Sequence, residues 1–168
     1  VLKGTAMQTA TTRTAKKPAV PTFDQWSAML RADIERKAAA CGCDVSGLTI
    51  EIMTTDNTWG DRTGLVFSGA SDEVCERAAR FFEAWAGRHL RRMGVVGGYN
   101  AQESIGYVGK AYFSRYANGA KGWYIDGRGG NTVDPVAMTV TTYYGSVSHP
   151  VEIRTGFATS FIYYPCAD

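Results

Sequence analysis

Apolar residues recur along this chain with two different periods. Phe23, Trp26, Leu30, Ile34 and Ala38 stand three or four positions apart, the spacing of one face of an α-helix. Thr22 and Gln25 form a capping box ahead of them. The pattern predicts a first amphipathic helix over Phe23–Ala40, ended by Cys41-Gly42-Cys43. A second helix, between Ser71 and Gly94, carries Cys75, Ala78, Phe82, Trp85, His89 and Met93 on one face and Arg77, Arg80, Arg88, Arg91 and Arg92 on the other. Ser71 caps it, Asp72 and Glu73 complement its positive end, the arginines crowd its last turns and Gly94 supplies the stop.

Elsewhere the period is two. Leu48–Met53 alternates, Asp56–Asp61 turns the chain, and Gly64–Ser68 returns as a second strand. Gly106–Ala117 alternates through a longer stretch, Asn118-Gly119 reverses it, and Trp123–Asp126 answers before the glycine-rich Gly127–Gly130 loop. Val136–Tyr144 and Val151–Tyr164 supply the remaining strands, the latter broken near Gly156 and stopped by Pro165. The order α-β-β-α followed by strands implies an α+β fold. Its expected form is an antiparallel β-sheet of about five to six strands with two amphipathic helices packed on one face.

A chain of 168 residues is one domain's worth. Residues 1–21 read as a basic N-terminal arm, with Arg13, Lys16 and Lys17 and little to bury, and residues 22–168 as a single α+β domain. Met7 is taken as the natural start, so residues 1–6 carry no information. No run of about 18 apolar residues is present, which excludes a membrane-spanning helix. No secretory signal opens the chain, and the expected location is cytoplasmic. Four cysteines at 41, 43, 75 and 166 make a poor disulfide framework. Free thiols are expected, with a bridge from Cys166 to Cys41 or Cys43 as the alternative. Cys-x-Cys and two histidines supply zinc poorly. No metal or other cofactor is expected.

Candidate chemistry is sparse. His89 lies within an apolar helical face and His149 precedes Pro150, so neither reads as a catalytic base. Glu51, Asp56, Asp61 and Asp126 would have to converge to hold a divalent ion, whereas loop aspartates more often form turns. No nucleophile elbow or phosphate loop is present. Enzymatic activity is therefore disfavoured, with a small metal-dependent hydrolase kept as the least supported option.

What remains is charge and rings. The net charge of +2 is mild, so any polyanion binding must come from local patches. Arg77, Arg80, Arg88 and Arg91 are candidates for phosphate or carboxylate contacts, because a guanidinium presents a planar fork. In the strand pair, Lys110, Lys121 and Arg128 lie among rings, and Tyr112 and Tyr116 share a strand face with Lys110. Cations interleaved with rings suit single-stranded nucleic acid. The leading expectation is thus a non-catalytic binding module for an anionic polymer, foremost single-stranded nucleic acid, using the arginine helix and the aromatic ribbon. The alternative is a protein-interaction or assembly subunit, meeting an acidic protein surface or forming a homo-oligomer, since tyrosine, tryptophan and arginine also anchor protein interfaces. Inhibitor, adaptor and particle component, including one from a mobile genetic element, all fall within that alternative.

Overall fold

A computed structural model of the chain describes residues 19–55, 62–95, 107–126 and 131–162. The basic arm up to residue 18, the hairpin tip at 56–61, the loop bearing Arg128 and the segment with Cys166 lie outside these. The first helix, α1, runs Phe23–Cys41. Its start is the expected capping box: the Thr22 hydroxyl accepts the Gln25 amide at 3.3 Å, and the Gln25 side chain accepts the Thr22 amide at 2.9 Å. Gly42, at φ 69°, closes it in the left-handed conformation that a side chain would resist. Strands β1 (Thr49–Thr55) and β2 (Arg62–Ser68) form the hairpin, and α2 follows over Asp72–Arg92 with Ser71 as its cap.

Five strands make one antiparallel sheet in the order β1-β2-β8-β3-β4, where β3 is Tyr107–Arg115, β4 is Lys121–Ile125 and β8 is Glu152–Ile162. Alternation divides its side chains between two layers. Leu65, Phe67, Val108 and Phe157 meet the apolar faces of both helices, which supply Trp26, Leu30, Ile34, Phe82, Trp85 and Leu90. The expected fold class is therefore present, with both helices on one side of the sheet.

On the other side Val66, Ala111, Ala158 and Ile125 form a second, smaller cluster under Trp123. The Trp123 indole N–H donates to the Glu51 carboxylate at 3.0 Å, although β4 and β1 are the two edges of the sheet. Four flat strand spacings would separate those strands by about 19 Å. The sheet must therefore curl, and the face away from the helices is its concave one. Small residues suit the inside of such a curl.

Two expected strands take a different form. Val136–Tyr144 is not one strand but parts of a separate three-stranded sheet, β5 (Thr132–Asp134), β6 (Thr139–Thr141) and β7 (Val147–Ser148). Asp134 causes the first reversal by accepting the amides of Val136 and Ala137, each at 3.0 Å, an Asx turn that local polarity favours over extension. This meander is joined to the main sheet where the Tyr116 hydroxyl meets the Ser148 hydroxyl at 2.8 Å. Conversely, β8 runs unbroken through Gly156. Glycine is needed there for space: a Cβ would stand 2.8 Å from the Phe67 carbonyl oxygen and 3.2 Å from the Trp123 ring.

That crowding generates a stability prediction. Gly156→Ala should lower unfolding stability by about 1–3 kcal/mol, read as a lower denaturant midpoint with a changed Trp123 emission. An unchanged midpoint would mean that the indole does not lie on the strand.

Candidate functional site

The two helices pack antiparallel, as three cross-helix contacts show. Asp33 of α1 accepts the Trp85 indole N–H at 2.8 Å, the Lys37 ammonium lies 5.2 Å from the centre of the Phe81 ring, and Arg77 reaches the Cys43 sulfur at 3.4 Å. Numbers rise along α1 as they fall along α2. Trp85 is only 1% exposed and closes a triangle of rings with Trp26 and Phe82, with centres 6.4 and 6.3 Å away. The Trp85 hydrogen bond, with Arg36 adding an ion pair at 2.7 Å, holds the Asp33 carboxyl below its ordinary value of 3.8.

Above this contact, on the side away from the sheet, the helices leave an open groove of about 390 Å³. Ile34, Ala38, Val45, Val74, Phe81 and Ala84 make its apolar floor and walls, and Lys37, Arg77, Arg80 and Arg88 rim it. Arg80 pairs with Glu76 at 3.1 Å, both exposed, an i,i+4 pair of the kind that contributes only a few tenths of a kcal/mol. Among the described residues no carboxylate lies in salt-bridge distance of Arg77, Arg88 or Lys37. Cys41 and Cys43 also line the groove as free thiols, while Cys75 is a third free thiol, buried in the core with its pKa raised by that burial.

Three of the four arginines singled out from the sequence therefore converge, and Arg91 does not. It is exposed one turn beyond the groove. The lysines and tyrosines of the strand pair do not join them. Lys110 lies 3.8 Å from Asp72 and 5.6 Å from the centre of the Tyr112 ring. Tyr112 itself is 8% exposed, so its faces are not available to stack on a base, and this expectation is corrected. Tyr116 is half-buried, with its hydroxyl held by Ser148. Lys121 is exposed at the start of β4, opposite Arg115 on the concave side. Arg128 lies outside the described residues. The rings and the guanidinium groups thus border different surfaces, because the alternation that placed Tyr112 and Tyr116 on one strand face placed them on the buried one.

Of the acids weighed as metal ligands, Glu51 is engaged by Trp123 and Asp126 lies beyond the end of β4, while Asp56 and Asp61 are outside the described residues. Among the described residues no three His, Cys, Asp or Glu side chains converge. Three of the charges on the concave rim instead engage one another. Arg115 and Arg154 hold the two oxygens of Glu152 at 2.9 and 3.1 Å, with Arg115 foremost in drawing that carboxyl below its ordinary value. Arg154 also lies 4.2 Å from the centre of the Phe113 ring.

The groove's contribution from α1 was missed in the sequence. A signal that α2 has a neighbour there does exist: Val74, Phe81 and Ala84 stand with Arg77 and Arg88 at spacings of three and four, apolar residues of coiled-coil spacing inside a charged stripe. No family model, curated protein or solved structure matches the chain.

The Asp33–Trp85 bond makes a pH prediction. A carboxyl whose pKa is depressed by folding contributes stability above its unfolded value, and that contribution is lost as pH falls through the folded value. Between about pH 5 and pH 2 the melting temperature of the wild type should fall more steeply than that of Asp33→Asn. Parallel curves would show that the carboxylate is not used.

Proposed function

We propose that this chain is a non-catalytic binding module that takes an acidic, amphipathic segment of a partner protein into the groove between α1 and α2. The observation that carries this reading is the combination of an apolar floor with a rim of Lys37, Arg77, Arg80 and Arg88, of which, among the described residues, only Arg80 has a carboxylate partner in reach. An apolar strip seeks burial and an exposed rim of cations attracts carboxylates, so one segment carrying both satisfies the groove. Arginine and aromatic anchors in such a setting are the usual carriers of interface energy.

Single-stranded nucleic acid suits the same cations but not the same floor. Base stacking needs open ring faces, and the groove offers one ring, Phe81, already approached by Lys37. Its other apolar contributions are aliphatic. The geometry therefore favours an apolar peptide anchor over a base.

The test compares two fluorescent probes by anisotropy: a helical peptide with leucine on one face and glutamate on the other, and an oligo-thymidine. The peptide should bind, weaken as salt rises, and weaken at least about tenfold, or about 1.4 kcal/mol, on Arg77→Glu with Arg88→Glu. Both positions are exposed, so folding should be spared. Groove-dependent binding of the oligonucleotide with none of the peptide would overturn the peptide reading in favour of nucleic acid.

A further inference from the structure

A second surface has the opposite chemistry. From Pro135 to Val151 the chain carries no Lys, Arg, Asp or Glu. Of the exposed large hydrophobic side chains among the described residues, Val136, Tyr143, Tyr144, Val147 and Val151 all fall in this stretch, leaving Val20, Met29 and Ile52 elsewhere. Tyr143 and Tyr144, at the turn between β6 and β7, are 77% and 91% exposed. These two rings adjoin, and soluble domains seldom leave adjoining large apolar groups in water without a partner.

The turn is also built to hold them. The Thr142 amide donates to Ser146 at 2.9 Å, the Gly145 amide to Thr142 at 2.9 Å, and the Ser146 amide to the Thr142 hydroxyl at 3.2 Å. Gly145 takes the left-handed conformation at φ 83°. The two rings pack edge to face, 5.3 Å between centres. A tyrosine pair so fixed offers a large contact area while losing little side-chain entropy on binding.

We propose that this knuckle is a self-association surface, through which two copies of the chain meet with Tyr143 and Tyr144 of each against those of the other. Charge argues for a second copy. The stretch from Pro135 to Val151 carries no formal charge, so two copies can meet through it without burying an unpaired charge. A strongly charged partner gains nothing there. Aromatic rings are self-complementary through edge-to-face packing, and a twofold contact uses one patch twice. Area argues the same way. Complete burial of four tyrosine rings would remove on the order of 600–1,000 Å², which with Val147 from each copy approaches the total of about 1,000 Å² of the smallest specific interfaces and so fits a weak contact. The expected strength is a reversible dimer with a dissociation constant of about 1–100 μM.

Sedimentation equilibrium of the full chain from about 1 μM to 500 μM tests this independently of the groove. The average mass should climb from 18.2 kDa towards twice that value, and the climb should persist at about 0.5 M salt, where charge contacts are screened. Tyr143→Ser with Tyr144→Ser should hold the chain at the monomer mass, with an unchanged circular dichroism spectrum because neither ring is buried. Arg77→Glu with Arg88→Glu should leave the dimer intact. A wild type that stays monomeric throughout, a double tyrosine variant that still dimerises, or a dimer lost with the groove arginines would each overturn the proposal, the last in favour of the knuckle docking in a neighbour's groove.

Discussion

Trp85 sits where both helices and the sheet meet, and the geometry of the outer surface follows from how it is held. Its ring packs against both Trp26 of α1 and Phe82 of α2, within the core that also contains Leu65 and Phe67. Fully burying a side chain of this size contributes about 1.5–3 kcal/mol or more, whereas a hydrogen bond to a charged acceptor contributes about 1.5–3 kcal/mol. The two are comparable but do different things. Burial is indifferent to small rotations of a helix; the bond to Asp33 is directional and sets the register of α1 against α2. With that register, Lys37 falls beside Phe81, Cys43 falls beside Arg77, and a groove opens between the helices on the side facing away from the sheet. A helix pair slid by one turn would scatter those cations.

Much of this architecture was legible in the sequence because its local signals agree with its tertiary needs. Thr22 with Gln25, and Ser71, mark helix starts through the backbone groups they satisfy. The buried stripes at Trp26, Leu30, Ile34 and Ala38, and at Cys75, Ala78, Phe82 and Trp85, match the helical period. What misled was the part of the chain where apolar content does not mean burial. Val136–Tyr144 reads as a strand by composition, yet Asp134 and Thr142 each pull the backbone into a turn with a side-chain oxygen. Gly156 misled in the opposite direction. Its role is set by Trp123, a partner distant in sequence, and no local pattern announces that contact.

The candidate site was half legible for a related reason. A helical wheel places arginines correctly on one face, and Arg77, Arg80 and Arg88 do converge. It is silent about what stands beside that face. The floor comes in part from α1 and from Val45, and their approach is decided by core packing. Strand alternation likewise grouped Tyr112 with Tyr116 and Lys110 but could not say which face of the sheet the helices would cover. Large residues at Phe67 and Phe157, against small ones at Ala111, Gly156 and Ala158, decide that question through the curl of the sheet.

The distribution of charge then separates the surface into regions of different physics. On the sheet, Arg115 and Arg154 share Glu152, and Lys110 lies near Asp72, so their fields are partly cancelled within a few ångströms. The meander from Pro135 to Val151 contributes no formal charge at all. The outward face of α2 gathers Arg77, Arg88, Arg91 and Arg92 without a carboxylate in ion-pair distance among the described residues, although the helix also carries Asp72, Glu73, Glu76 and Glu83. Under the proposed function, attraction of an anionic partner would act there and decay over about 10 Å at moderate salt. Contact at the tyrosine knuckle has no such reach and depends on desolvation of rings already in place. Under the two proposals, a chain with a net charge of only +2 would hold two surfaces that do not compete, one selecting by charge before contact and the other by shape after it.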